Sequence, residues 1–141
     1  MSVSDEREKL MSLNALPMYR VRLENVKVPV ANRLGGAAGH DFEIILASMR
    51  IANAATAVGV ANAAFEYSMN YAKEREAFGV KIAQKQAIAF MLAEMRTEIE
   101  ASRLLIYNAC FAKERSKTSG ERYTTEASMA KLFASETAMF V

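Results

Sequence analysis

Hydrophobic positions change their period once along this chain. From Tyr19 to Glu24 the order is Tyr-Arg-Val-Arg-Leu-Glu, with apolar and charged residues alternating. A period of two sends alternate side chains to opposite faces and predicts a strand with one wet face. Val26-Lys27-Val28 continues the pattern and Pro29 ends it. One strand is not a stable sheet, so its partners are expected on another chain or in a larger protein. Residues 1–18 are polar or mixed and are expected to form a flexible N-terminal segment. Asn32 to His40, NRLGGAAGH, is glycine-rich and reads as a linker.

From Asp41 the apolar spacing becomes three and four. Asp41 suits an N-cap, and Glu43 suits the positive end of the helix dipole. Ile44, Ile51, Ala55, Val58, Phe65 and Met69 then form a stripe, with Asn62 in the same row, that is expected to reach about Phe78. A second helix is expected from Lys81 or Ile82, with Ile88, Leu92, Met95, Ile99, Ser102, Ile106 and Cys110 along its apolar side. Arg96 and Glu100 are spaced to pair on its far side. Ser116 to Gly120 marks a turn, and a third helix is expected from about Tyr123 to the last residue. Ala127, Ala130, Leu132, Phe133, Ala134, Ala138 and Met139 supply its apolar side. Short connections make this an all-α, antiparallel up-down bundle with a short N-terminal extended segment. The pattern is still helical at Val141, so a further helix is expected beyond it. Without that helix Ile88, Phe90, Leu92 and Phe133 are expected to be partly exposed and to favour dimerisation.

Composition narrows the class. The chain has 141 residues, 52% hydrophobic and 24% charged, enough to bury a core. Its net charge of +2 is too small to point to nucleic acid or an anionic membrane as the main partner. One histidine and one cysteine give neither a metal-ligand set nor an internal disulfide, and a reducing compartment is expected. The N-terminal MSVSDEREKL lacks the apolar stretch of a signal peptide. The uncharged run Ile51–Phe65 is shorter than the roughly 18 residues of a spanning helix, so no membrane span is expected.

Candidate chemistry gathers in YAKEREAFGVKIAQKQ, residues 71 to 86. Arg75 falls near a helix end, where a cation complements the dipole. It also stands beside the start of the next helix, whose free N–H groups attract anions. Gln86 offers a donor and an acceptor, and Phe78 a flat apolar surface. An arginine fork, an open helix start and an amide together suit a pyrophosphate and a polar ring system. Arg50 opens the uncharged run. It either snorkels to the surface or contacts a ligand at the mouth of a cleft.

Several stretches resemble the acyl-CoA dehydrogenase family. VRLENVKVPVANRLGG resembles the end of its middle β-domain and the linker that follows. MRIANAATAVGVANAAFEYSMNYAKEREAFG, IAQKQAIAFMLAEMRTEIEASRLLIYNA and EASMAKLFASETA resemble the first three helices of its C-terminal domain. The arginine, Phe-Gly and glutamine arrangement is the most specific feature. The resemblance divides the chain into residues 19–40, a remnant of the β-domain and linker, and residues 41–141, a helical domain lacking its last helix. It implies FAD as cofactor, an acyl-CoA substrate oxidised to the 2,3-enoyl form, and an electron-transfer flavoprotein as electron acceptor. It also implies a homo-oligomer, dimer or tetramer, in bacterial cytoplasm or mitochondrial matrix. By resemblance Arg75 contacts the FAD pyrophosphate of a neighbouring subunit, Phe78 packs near it, Gln86 binds its adenosine end, and Arg50 lies in the acyl-CoA cleft.

The departures concern catalysis. In most members the catalytic glutamate lies beyond the third helix, and in some it stands just before the position of Arg50. Here that position is Met49, which cannot accept a proton, and Glu43 is explained by the helix start. No catalytic residue is assigned, and the chain alone is expected to be inactive. The alternative is a stand-alone, non-catalytic oligomerisation module derived from the family.

Overall fold

The computed structural model describes residues 2–3, 6–9 and 15–141. The chain forms two compact units, Met1–His40 and Asp41–Val141. In the first, β1 (Ser2–Val3) pairs antiparallel with β2 (Val21–Arg22), with Ser2 opposite Arg22 and Val3 opposite Val21. The strand partner is therefore within the chain, and among the described residues only Val21–Arg22 of the alternating segment is paired. Of the segment expected to be flexible, residues 1–18, residues 1, 4–5 and 10–14 lie outside the described residues. The glycine-rich stretch folds into short 3-10 turns, Val30–Asn32 and Gly36–Ala38. Gly35 needs its missing side chain, because a Cβ there would sit 2.0 Å from the Gly39 carbonyl oxygen at a φ of 78°.

The second unit is a bundle of α1 (Phe42–Glu74), α2 (Gln86–Ser119) and α3 (Thr124–Phe140). Asp41 caps α1 as expected, its side chain accepting from the Glu43 N–H at 3.0 Å. Gly120, at a φ of 72°, closes α2 in the left-handed C-cap geometry. The direction of the helices is up-down-up. The Tyr123 hydroxyl, at the start of α3, donates to the Ile44 carbonyl at 3.2 Å and shares a 2.9 Å hydrogen bond with Ser48 Oγ. Arg122 joins Asp41 across the same end at 2.6 Å. The N-termini of α1 and α3 therefore meet, and α2 runs against both.

The seam repeats every seven residues. Ala47, Ala54 and Ala61 form one row of α1, and Ile51, Val58, Phe65 and Ala72 form the other. Ile99, Ser102, Ile106 and Ala109 continue the seam on α2, with Ala127, Ala130, Ala134 and Thr137 on α3. A 3-4 spacing sustained over heptads keeps near-parallel helices in register with a slight left-handed supercoil. Among the described residues, nine of the fifteen buried hydrophobic residues are alanine, so the helix backbones approach closely and few large side chains fill the space between them.

Several expected core positions lie elsewhere. Ile44 and Ala55 of α1, Cys110 of α2, and Leu132 and Met139 of α3 are exposed, while Ile88, Leu92 and Met95 are half-buried. Ile51, Val58 and Phe65 of α1, Ile99, Ser102 and Ile106 of α2, and Ala127, Ala130 and Ala134 of α3 are buried as expected, and the row Ala47, Ala54 and Ala61, whose small side chains fit between close backbones, adds to them. Among the residues expected to be uncovered, Phe90 is exposed, and Ile88, Leu92 and Phe133 are half-buried. Arg96 and Glu100 pair at 2.5 Å as expected. Helix α1 is long and apolar enough, by length and composition only, to cross a membrane. In this fold its apolar seam packs into the bundle core.

One polar bond crosses the core. Ser102 Oγ donates to Thr137 Oγ1 at 3.0 Å, and both residues are buried. Ser102→Ala is expected to cost about 1–3 kcal/mol, because it strands the Thr137 hydroxyl out of water. Adding Thr137→Val is expected to recover part of that loss. Urea unfolding of the single and double variants measures both.

Candidate cofactor half-site at the turn between the long helices

Helix α1 stops at Glu74, four residues before the expected end, and Arg75 is its C-cap with an extended backbone (φ −69°, ψ 128°). The Arg75 N–H donates to the Tyr71 carbonyl at 2.8 Å, and its own carbonyl accepts from Ile82 at 2.9 Å. A small hairpin follows. β3 (Glu76–Ala77) pairs antiparallel with β4 (Val80–Lys81), with Glu76 opposite Lys81 and Ala77 opposite Val80. Lys81 Nζ fastens the hairpin, reaching Glu76 Oε1 at 2.7 Å and the Glu74 carbonyl at 3.1 Å.

The two-residue loop is Phe78-Gly79. Both residues have positive φ, 56° and 78°, as a type I′ hairpin turn requires. Glycine adopts this freely; phenylalanine does so at a cost of roughly 1–2 kcal/mol. Phe78 is 95% exposed and, apart from the Lys85 ammonium 5.3 Å from its ring centroid, gains little from packing among the described residues. Asparagine suits the first position of such a turn. Phe78→Asn is therefore expected to raise the thermal midpoint by roughly 2–8 °C, read by circular dichroism melting.

The second long helix begins later than expected. Lys81 ends β4, Ile82–Gln84 is a 3-10 turn, and α2 starts at Gln86. Gln86 is thus the first residue of α2, not one or two turns inside it. The N-cap, Lys85, makes no side-chain capping bond, and the first turn of α2 holds no acidic residue. The positive end of the helix dipole is therefore left uncompensated by side chains. Arg75 and Gln86 are both exposed, and among the described residues the Arg75 guanidinium has no ion-pair partner. A free guanidinium fork, an uncapped helix start, an amide and a bare aromatic face thus lie within twelve residues of chain. They suit the phosphates and the ring of a nucleotide.

Arg50 is not part of this group. It lies twenty-five positions before Arg75 in chain order, roughly 37 Å along the helix. Its guanidinium is 35% exposed and stands 3.8 Å from Glu43 Oε2. Met49, beside it, is exposed. Sequence reasoning missed a second concavity at the far end of the bundle, a cleft of about 440 Å³ floored by Ile44, Ala47 and Tyr123 and rimmed by Lys113, Lys117 and Arg122. The tyrosine before α3 and the glycine after α2 were the only local signals for it. Its walls come from residues about eighty positions apart, which no local pattern links.

Comparison with known proteins accounts for this architecture. The family model for the acyl-CoA dehydrogenase C-terminal domain matches residues 42–141. An acyl-CoA dehydrogenase of Bacillus subtilis is 41% identical over 137 residues, covering 95% of this chain and 35% of that relative. The mitochondrial short/branched chain specific acyl-CoA dehydrogenase of Rattus norvegicus is 39% identical, covering 94% of this chain and 30% of the relative. In structure, the butyryl-CoA dehydrogenase of Megasphaera elsdenii matches with a TM-score of 0.81 at 34% identity, over 98% of this chain and 35% of the other. This chain therefore spans about a third of the length of the relatives it matches. The helical bundle of residues 42–141 and its Phe-Gly hairpin belong to the acyl-CoA dehydrogenase family, in which this chain corresponds to the C-terminal domain.

Proposed function

We propose that this chain serves as the C-terminal helical part of an FAD-dependent acyl-CoA dehydrogenase, contributing oligomer contacts and part of a neighbouring subunit's FAD site. The observation that carries this reading is Phe78. A fully exposed aromatic ring is held at unfavourable φ beside an unpaired arginine and an uncapped helix start. Such a ring gains its return only when something docks on it. Arg75 would hold the pyrophosphate, Phe78 would pack against it, and Gln86 would bind the adenosine end. FAD held there would supply the acceptor for the hydride leaving the acyl thioester.

Arg50 is the substrate-side residue of this reading, half-exposed on α1 and facing the acyl-CoA cleft of the complete enzyme. No general base is assigned within the chain, because Met49 occupies the position where some members carry one. The chain by itself is accordingly without dehydrogenase activity. Oligomer contacts are supported by α2, whose exposed Phe90, Leu104 and Phe111 lie fourteen and then seven residues apart, on one heptad row of its outer side. An electron-transfer flavoprotein is the expected partner of the whole enzyme. The Acetobacterium woodii relative, 41% identical over 93% of this chain, is a subunit of a caffeyl-CoA reductase-Etf complex. The expected location is bacterial cytoplasm or mitochondrial matrix. A non-catalytic oligomerisation module is the second reading, favoured by Met49 alone.

The test is a graft. Residues 42–141 replace the matching segment of the Bacillus subtilis dehydrogenase, and acyl-CoA oxidation is assayed with an artificial electron acceptor. The graft is expected to turn over and the chain alone is not. Turnover by the chain alone would overturn the proposed division of labour.

A further inference from the structure

We infer that the cleft where the N-termini of α1 and α3 meet binds a small zwitterion with an apolar body, an apolar α-amino acid being the simplest of the class. The inference stands apart from the cofactor reading, which concerns the opposite end of α1. The cleft holds about 440 Å³, a size common among small-molecule sites. Its floor is apolar. Ala47 and Tyr123 close it from below, both buried, and Ile44, 41% exposed, keeps apolar surface open. The Tyr123 hydroxyl is already committed to the Ile44 carbonyl and Ser48 Oγ, so it offers a ligand no free polar group.

The charges on the rim divide into two groups. Most are matched within the bundle. Arg122 pairs with Asp41 at 2.6 Å, Lys117 pairs with Glu114 at 2.7 Å, and Glu43 stands 3.8 Å from Arg50. Lys113 and Glu121 line the same cleft, yet among the described residues neither makes an ion pair, with the other or with any third side chain. They come from different elements. Lys113 lies in the last turns of α2, whereas Glu121 follows the left-handed Gly120, its N–H donating to Ser119 Oγ at 3.2 Å. One unmatched ammonium and one unmatched carboxylate therefore share an apolar floor. A lone carboxylate would be attracted by Lys113 and repelled by Glu121, and a lone amine the reverse. A ligand carrying both charges satisfies both, with its apolar remainder against Ile44 and Ala47.

The test titrates the 141-residue chain with L-phenylalanine and its two singly charged analogues, 3-phenylpropionate and 2-phenylethylamine. NMR shifts of the Ile44 methyls and the Gly120 amide report binding. Phenylalanine is expected to bind about 2–5-fold more tightly than either analogue, the effect of one exposed ion pair. Lys113→Ala is expected to reduce phenylalanine to the level of the amine without weakening the amine. Glu121→Gln is expected to reduce it to the level of the acid without weakening the acid. Both side chains are exposed, and unchanged amide shifts remote from the cleft report that each variant is folded. If the acid binds as tightly as phenylalanine, the cleft is an anion site; if the amine does, it is a cation site. Either result overturns the inference. Binding that neither substitution weakens overturns it too, since the charges then recognise nothing. Absence of any shift with phenylalanine at millimolar concentration also overturns it, and leaves the reading of the Phe-Gly hairpin untouched.

Discussion

Ile99→Ala is expected to lower the unfolding free energy by about 2–5 kcal/mol, toward the upper end of that range. Ile99 is fully buried and is the largest side chain in the core with no exposure. The cost of such a truncation depends on how far the surroundings collapse into the space left behind. Here the buried neighbours of the bundle are mostly alanines, which have no atoms to move inward, on helices already packed close. The cavity should stay open. Ile99→Val removes one methylene and is expected to cost only about 0.5–1.5 kcal/mol. Leu104→Ala, on the exposed side of the same helix, is expected to change the stability of the folded unit by no more than about 0.5 kcal/mol. Urea unfolding followed by circular dichroism compares the three. Equal losses for Ile99→Ala and Leu104→Ala would contradict the placement of the core.

Arg75→Ala, made in the grafted dehydrogenase, is expected to weaken FAD retention by about 10- to 100-fold. The size follows from charge-assisted hydrogen bonds to phosphate, which contribute about 1.5–3 kcal/mol. Stability should change by only a few tenths of a kcal/mol, because the guanidinium is exposed at a helix end. The contrast between a large loss of flavin and a small loss of stability separates cofactor binding from dipole complementation. Arg75→Lys keeps the charge and loses the planar fork, and is expected to fall between parent and alanine. Equilibrium dialysis against FAD gives the affinities, and thermal melting of the apoprotein gives the stability.

Local signals in the sequence were legible, and long-range ones were not. Asp41 declared the start of α1, because a capping carboxylate acts within two residues of itself. The periods of all three helices were legible for the same reason. The end of α1 and the start of α2 were not. Ile82 looks like a helical apolar position, yet the segment is held in a hairpin by the Glu76–Lys81 pairing and the Ile82-to-Arg75 hydrogen bond. The Phe-Gly turn was visible through its glycine, but the positive φ of Phe78 was not, since nothing in a phenylalanine announces it. Of the seam, Ile51, Val58 and Phe65, Ile99, Ser102 and Ile106, and Ala127, Ala130 and Ala134 were legible, whereas the second row of α1, Ala47, Ala54 and Ala61, was not, because alanine carries little hydrophobic signal even where its small size decides how closely helices pack. Arg75 and Gln86 stood out by helix-end chemistry, whereas a role for Arg50 came through family resemblance.

The central claim is that the Phe-Gly hairpin of this chain forms part of a partner subunit's FAD site. A crystal structure of the grafted dehydrogenase with FAD bound tests it most directly. The account expects the Arg75 guanidinium within hydrogen-bonding distance of a phosphate oxygen of FAD held by the neighbouring subunit, with the Phe78 ring in contact with the same molecule. A structure in which the hairpin stands in solvent, away from every FAD, would contradict it.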